Sequence, residues 1–361
     1  MQRREFIKKV GAGSLALGAG VAASGVARAK AEFKWKMVTT WPKNFPGLGT
    51  GANNLARLIT EMSGGRIDVK VYGAKELVPA FEVFDAVSRG TAEMGHGAAY
   101  YWKGKNEAFQ FFSTVPFGLT AQEMNGWLYY GGGMELWEEA YAPFNLVPAP
   151  AGNTTVQMGG WFNKEINSLD DLKGLKMRIP GLGGEVLRRL GGTPVNLPGG
   201  ELFTALTSGT IDATEWVGPY NDLAFGLYKA AKYYYYPGFH EPGTVLEAII
   251  NKEAFEKLPE DLRSIVLNAC RVVNLDMVAE YAARNPGAMR QLIEQHDVSV
   301  RSYPADVIAQ LRKVSEEVVA EVAAKDDFSK KVYASYKQFL DESRSFSAVS
   351  DLAYLKARDE A

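Results

Sequence analysis

From Phe33 to Asn251 the chain alternates between two textures, and that alternation limits its choice of fold more than any other feature. Short β-prone runs at Phe33 to Thr39, Ile67 to Tyr72 and Ala92 to Gly97 are separated by segments at helical spacing. Gly51 to Ser63, with Leu55, Leu58, Ile59 and Met62, is one, and Phe81 to Arg89 is another. The theme returns with strands predicted at Thr154 to Phe162, Lys176 to Ile179, Ala213 to Val217, Tyr233 to Tyr236 and Thr244 to Asn251, and with helices at Gly184 to Leu190 and Glu201 to Ser208. Strands alternating with helices predict parallel α/β layers, and two such series predict two lobes.

After Pro259 glycines become rare and the pattern is helical throughout, over Glu260 to Gln295, Asp306 to Ala324 and Ser329 to Ser343. A helix of more than roughly 30 residues is about 45 Å long, enough to brace both lobes or to pack on a second copy. No repeat or low-complexity tether separates the two series, so several strand crossings are expected to join them.

The first 29 residues read as a separate unit. Arg3-Arg4, a weakly apolar run rich in Gly and Ala, and Ala27-Arg28-Ala29 form the three parts of an export signal, with the twin arginines favouring the route for folded proteins over the Sec route. A membrane anchor needs about 20 strongly apolar residues, which this segment lacks. Its removal leaves 332 residues with a net charge of −6. An acidic chain with scattered lysines and arginines has no footprint for nucleic acid or for a membrane surface. The single cysteine, Cys270, excludes an internal disulfide, and a chain of this length has core enough without one.

Enzyme signatures are missing: there is no H-E-x-x-H, C-x-x-C, P-loop or G-x-S-x-G, and the one G-x-G-x-x-A match, Gly11 to Ala16, falls inside the export segment. His96, His240 and His296 show no clustered spacing and read as structural or solvated. Polar groups concentrate instead in the β-rich middle. Gln157, Arg178, Glu215-Trp216 and Glu241 each follow a β-prone run and precede Gly or Pro, which puts them near strand ends, where α/β sheets bind ligands. The planar guanidinium of Arg178 matches a carboxylate, with a surface ion pair as the plain alternative. Glu215, Glu241 and the Gln157 amide oxygen form an all-oxygen set suited to Na⁺ or Ca²⁺, or else two glutamates on separate loops. Tyr100, Tyr101 and Trp102 offer aromatic walls, Trp102 being the one closer to a core residue. Tyr233 to Tyr236 reads as a buried strand.

Three stretches carry a resemblance to a known family: Val-Gln157-Met-Gly-Gly-Trp-Phe-Asn-Lys-Glu-Ile, Ser-Leu-Asp-Asp-Leu-Lys-Gly-Leu-Lys-Met-Arg178-Ile-Pro-Gly, and Leu-Thr-Ser-Gly-Thr-Ile-Asp-Ala-Thr-Glu215-Trp216. The chain resembles the solute-binding subunits of tripartite ATP-independent periplasmic (TRAP) transporters. Glu215-Trp216 and the Phe-His-Glu241-Pro turn are similar to the branch that binds 2-oxo acids.

The resemblance implies an α/β, two-lobed periplasmic binding protein, class II-like, with crossing hinge strands and a long bracing helix. It assigns residues 30–153 and 243–285 to lobe I, 154–242 and 286–328 to lobe II, and 329–361 to a helical tail. It implies that Arg178 clamps a small carboxylate, pyruvate or another 2-oxo acid before lactate or another 2-hydroxy acid. Gln157, Glu215, the Trp216 carbonyl and Glu241 would surround a cation, Na⁺ before Ca²⁺, that touches the solute, while Tyr100 and Tyr101 close the other side. It further implies the transporter's membrane subunits as partners and a homodimer through exchange of the C-terminal helix. For that helix Val332, Tyr333, Tyr336, Phe339 and Leu340 need a covering surface, and packing within the chain is the alternative. A hydrolase or lyase using Glu215 and Glu241 as an acid-base pair is the competing reading, and a sensor-presenting protein would share the same pocket.

Overall fold

The structure, a computed structural model, describes residues 31–360, so the export segment lies outside the described residues. In chain order the first part holds β1 (Phe33–Thr39), α1 (Leu48–Met62), β2 (Ile67–Tyr72), α2 (Val83–Ser88), β3 (Met94–Gly97), α3 (Ala121–Tyr130), α4 (Gly133–Tyr141) and β4 (Leu146–Asn153). Next come β5 (Gly160–Phe162), β6 (Lys176–Arg178), α5 (Gly181–Arg189), β7 (Thr193–Val195), α6 (Leu202–Thr207), β8 (Ala213–Thr214), α7 (Pro219–Phe225) and β9 (Tyr233–Tyr236). The chain continues through β10 (Val245–Asn251), α8 (Lys252–Glu256), α9 (Glu260–His296), β11 (Ser299–Ser302), α10 (Ala305–Ala323), α11 (Asp327–Ser347) and α12 (Asp351–Asp359). No helix among the described residues is long and apolar enough to cross a membrane.

Two mixed sheets result, ordered β2-β1-β3-β10-β4 and β11-β9-β5-β8-β6-β7. In the first, β1 runs parallel to β2 and β3, while β10 is antiparallel to β3 and β4. Alternation divides its side chains between two cores. Met37, Ala248 and Ile250 face α1 and the front half of α9, whereas Val38, Val245 and Ile249 face the aromatic layer of Phe84, Phe109, Trp127 and Trp137. The second sheet divides in the same way, with Trp161 stacked on Tyr234 at 4.1 Å on one face and Phe162 beside Tyr235 on the other.

The strands missing from the sequence reading are β4, β7 and β11, and the predicted Thr154 to Phe162 strand shrinks to Gly160–Phe162. Residues 154–159 instead form one of two segments that cross between the sheets, with Thr155 at φ 60. The other is 237–244. The two run side by side: Thr154 N donates to Thr244 O at 3.0 Å, Gln157 N to Glu241 O at 3.1 Å and Gly238 N to Gln157 O at 2.9 Å. Approach is so close that a Cβ at residue 238 would fall 2.3 Å from the Gln157 carbonyl oxygen, which restricts that position to glycine.

The 37 residues of α9 span about 55 Å. Leu262, Val266, Cys270 and Val273 pack on the first sheet, Leu292 packs with the second, and α7 lies alongside. Pro286 sits inside the helix. The chain then crosses back: α10 packs on α5 beside the second sheet, and α11 returns to the first, against α3 and α4. There Tyr333 stacks on Phe111 at 5.5 Å, Tyr336 meets Trp127 edge-on at 5.1 Å, and Tyr336 OH accepts a hydrogen bond from Leu119 N at 2.8 Å. The apolar tail residues on which helix exchange rested are thus covered within the chain. Phe346, Val349, Leu352, Tyr354 and Leu355, further along, remain exposed.

Candidate functional site

Five segments meet where the two crossings pass between the sheets: the end of β6, the turn after β8, residues 154–159, residues 237–244, and the helical turn Ala99–Trp102 of the first lobe. The register that pairs Arg178 with Thr214 continues as Glu215 N donating to Arg178 O at 3.1 Å, so the ladder itself sets Glu215 beside Arg178. Arg178 and Glu215 are buried and ion-paired through Nη1 and Oε1. Arg178 Nε donates to Leu197 O at 3.1 Å, Nη1 also reaches Glu215 O at 3.4 Å, and Nη2 donates across the lobes to Tyr101 OH at 3.3 Å. Of five N–H groups, one on Nη2 is left without a partner among these bonds. Burial is the strongest single influence on the arginine's pKa and lowers it, but Glu215, Tyr101, Tyr100 and Glu241 together outweigh it and hold the guanidinium above its ordinary value.

Trp216 lies under the guanidinium, 5.1 Å from its carbon, and is held edge-on by Trp41, Phe45 and Phe225. Glycine at 199 makes room for it, since a Cβ there would meet the indole at 2.5 Å. Gln157 Nε2 donates to Glu241 Oε2 at 2.7 Å and to Thr154 Oγ1 at 2.9 Å, which turns its amide oxygen inward without a partner. Glu241 Oε2 also accepts from Thr244 Oγ1 at 2.6 Å. Burial, and after it the Glu215 charge, push the Glu241 carboxyl up to about 7. One ligand atom each from Glu215, His240 and Glu241 lies within 4.8 Å of the others. Glu215 Oε2, Gln157 Oε1 and both His240 nitrogens are buried without hydrogen bonds. A cation among these groups would give both oxygens the partner they lack, and the oxygen-rich donor set suits a hard ion.

The structure therefore brings Gln157, Arg178, Glu215, Trp216 and Glu241 together and places Tyr101 against Arg178. Tyr100 is buried, meets Tyr101 edge-on at 4.7 Å, and has its hydroxyl pKa raised first by burial and then by Glu241. Both tyrosines line a 230 Å³ cavity between the lobes, with Pro180, Gly181 and Asn196 opposite. A larger 780 Å³ groove between α1 and β2 touches none of these groups, so size alone does not locate the chemistry. Trp102 is a core residue that donates to the buried Glu247.

Two histidines are structural: His96 accepts from Trp41 Nε1 at 2.7 Å, and His296 stacks on Tyr228 at 3.8 Å. His240, read from sequence as structural or solvated, instead sits in the polar cluster. Its adjacency to Glu241 was the available signal. Thr154, Thr244 and the Leu197 carbonyl were also missed, because threonine and backbone groups at a site carry no local pattern.

A family model described as bacterial extracellular solute-binding protein, family 7, matches residues 37–326. The chain belongs to that family. Its members are solute-binding proteins rather than enzymes, and here Glu215 is already committed to Arg178 instead of standing free for acid-base work. Over 321 residues the chain is 45% identical to a monocarboxylate 2-oxoacid-binding periplasmic protein of Nostoc sp., covering 89% of this chain and 88% of the relative. A TRAP periplasmic solute-binding protein of Pseudoalteromonas atlantica, solved with bound sodium and pyruvate, is 45% identical with a TM-score of 0.87, covering 90% of this chain and 98% of that one. Its counterpart from Colwellia psychrerythraea, with calcium and pyruvate, is 44% identical, also with a TM-score of 0.87, covering 90% and 99%. These family 7 relatives share the two-sheet architecture described above.

Proposed function

We propose that this protein is the periplasmic solute-binding subunit of a TRAP transporter and captures a short 2-oxo monocarboxylate, pyruvate first, together with a cation. The observation that carries the reading is the juxtaposition of an under-used guanidinium with two unpartnered buried oxygens, Gln157 Oε1 and Glu215 Oε2. The relatives that bind pyruvate with sodium or calcium support it. In this reading Gln157, Glu215, the Trp216 carbonyl and Glu241 hold the cation. The solute carboxylate takes the spare Nη2 hydrogen and displaces the long 3.4 Å bond from Nη1, while Tyr100 and Tyr101 close the first-lobe side.

Charge sets the order of events. With Glu215, Glu241 and Arg178 ionised, the cleft carries one negative charge. Sodium cancels it and calcium reverses it, so calcium should draw in an anion more strongly than sodium does. The test is titration calorimetry on chelator-stripped protein with pyruvate and lactate, each with Na⁺, Ca²⁺ or neither. Cation-dependent heat with pyruvate favoured is the expected result. No heat with either acid under any condition overturns the reading, and a preference for lactate moves the solute to the 2-hydroxy acids.

The same proposal assigns export to the twin-arginine route, 30–153 with 243–285 to lobe I, 154–242 with 286–328 to lobe II, and the transporter's membrane subunits as partner. A homodimer by exchange of α12 is supported by the exposed apolar residues from Phe346 to Leu355.

A further inference from the structure

We propose that this centre also takes a first-row divalent transition metal, Zn²⁺ being the representative ion, with His240 as a nitrogen ligand that sodium and calcium leave unused. The inference rests on the cation site proposed above. His240 is 2% exposed and lies on the same turn as Glu241, held edge-on by Phe239 at 5.3 Å. Glycine at 183 lets it tuck in, since a Cβ there would come within 2.8 Å of His240 Cβ. Its Nε2 stands 3.4 Å from Glu215 Oε2, yet neither atom is in a hydrogen bond.

That distance decides between two relations. A charge-assisted N–H to carboxylate bond would close to about 2.7–2.9 Å. Two ligands sharing one tetrahedral ion, each about 2.0–2.1 Å from it, stand roughly 3.3 Å apart. The observed separation matches the second relation. Neither ring nitrogen is committed elsewhere, so the tautomer that presents a lone pair at Nε2 is available. Sodium and calcium take oxygen ligands, and Gln157, Glu215, Glu241, the Trp216 carbonyl and the solute supply these without the imidazole. Imidazole suits zinc, nickel and copper, and an N/O site binds those ions more tightly than the earlier members of the row. Zinc and calcium would compete, because both use Glu215 and Glu241.

The test uses the mature full-length protein stripped with chelator. Zn²⁺ and Ca²⁺ affinities are measured by competition calorimetry, and Co²⁺ serves as an absorbing substitute for Zn²⁺. Expected are one Zn²⁺ per chain displaced by excess Ca²⁺, intense visible Co²⁺ bands of a four-coordinate site, and a ratio of Zn²⁺ to Ca²⁺ affinity that falls at least tenfold in His240→Phe. His240→Gln, with folding checked by circular dichroism, guards against a packing defect in the first variant. If the wild type takes no Zn²⁺, or if the ratio is unchanged in both variants, His240 is not a ligand and the proposal falls. Zn²⁺ binding without any cation-dependent pyruvate heat would instead remove the solute reading and leave this one standing.

Discussion

Arg178 carries its charge into a space that water does not reach, and its counter-charge came with it. Losing one member of a buried pair costs more than the pair contributes, because the other is left uncompensated. Arg178→Met should therefore abolish solute binding and also destabilise the fold by about 3–5 kcal/mol, with Glu215→Gln in the same chain recovering most of the stability but none of the binding. Urea unfolding of the two variants checks this, and a single variant as stable as the wild type would show that the pair is not desolvated. A second buried carboxylate supplies a pH signature. Burial pushes Glu247 up to about 7, opposed by hydrogen bonds from Trp102 and Tyr141. Between about 4.5 and 7 the native state keeps a proton that the unfolded chain has released, so stability falls as pH rises through that window, by on the order of 3 kcal/mol from this group. Glu247→Gln should flatten that part of the urea midpoint against pH, and equal slopes in the two proteins would remove Glu247 as the source. At this scale Arg178 and Glu215 were legible as types at strand ends. Their pairing was not, because the ladder that sets Glu215 beside Arg178 joins residues 37 apart.

Three of the four edge strands escaped the sequence reading, and the central ones did not. Central strands are apolar or alternate because both flanks are paired. Edges lack that demand. Pro148 and Pro150 break the pattern of β4, yet an edge strand has one side free of ladder bonds, and they cost it little while it pairs with β10. Pro194 in β7 is the same case, and β11, Ser-Val-Arg-Ser, is too polar to signal. The long helices were legible because α9, α10 and α11 each bury a stripe: α9 and α10 were read to within one residue at each end, while α11 starts two residues earlier and ends four later than read. What covers the stripe of α11 could not be read, because its partners, Phe111 and Trp127, lie some 200 positions away. Tyr336→Phe, which strands the buried Leu119 N–H, should cost about 1–3 kcal/mol in thermal or urea unfolding. Truncation after Ser347 removes the exposed α12 and should leave that stability unchanged, while converting any dimer seen by light scattering to monomer.

Across the whole molecule the lobes meet through contacts that belong to neither sheet. Phe45 of the first lobe stacks on Phe225 at 4.1 Å, Asn221 Nδ2 donates to Pro46 O at 2.6 Å, and Lys75 pairs with Glu201 at 2.8 Å. The last is exposed and contributes little, whereas the first two are sheltered. Phe45→Ala combined with Asn221→Ala should shift the population toward an open form and weaken apparent pyruvate affinity by about tenfold if nine-tenths of the molecules open. Small-angle scattering of the solute-free variant should give a larger radius than the wild type, and identical radii would mean these contacts do not hold the lobes shut. Any such opening must pass through α9, which is fastened at its front to the first sheet and at its rear to the second. Pro286 withdraws the amide that the Ala282 carbonyl would otherwise accept from, and Gly287 follows it directly. The helix is thereby an elbow rather than a girder: it can flex with the stroke of the two halves at one defined point, and Pro286→Ala, by stiffening that point, should slow the stroke in stopped-flow fluorescence.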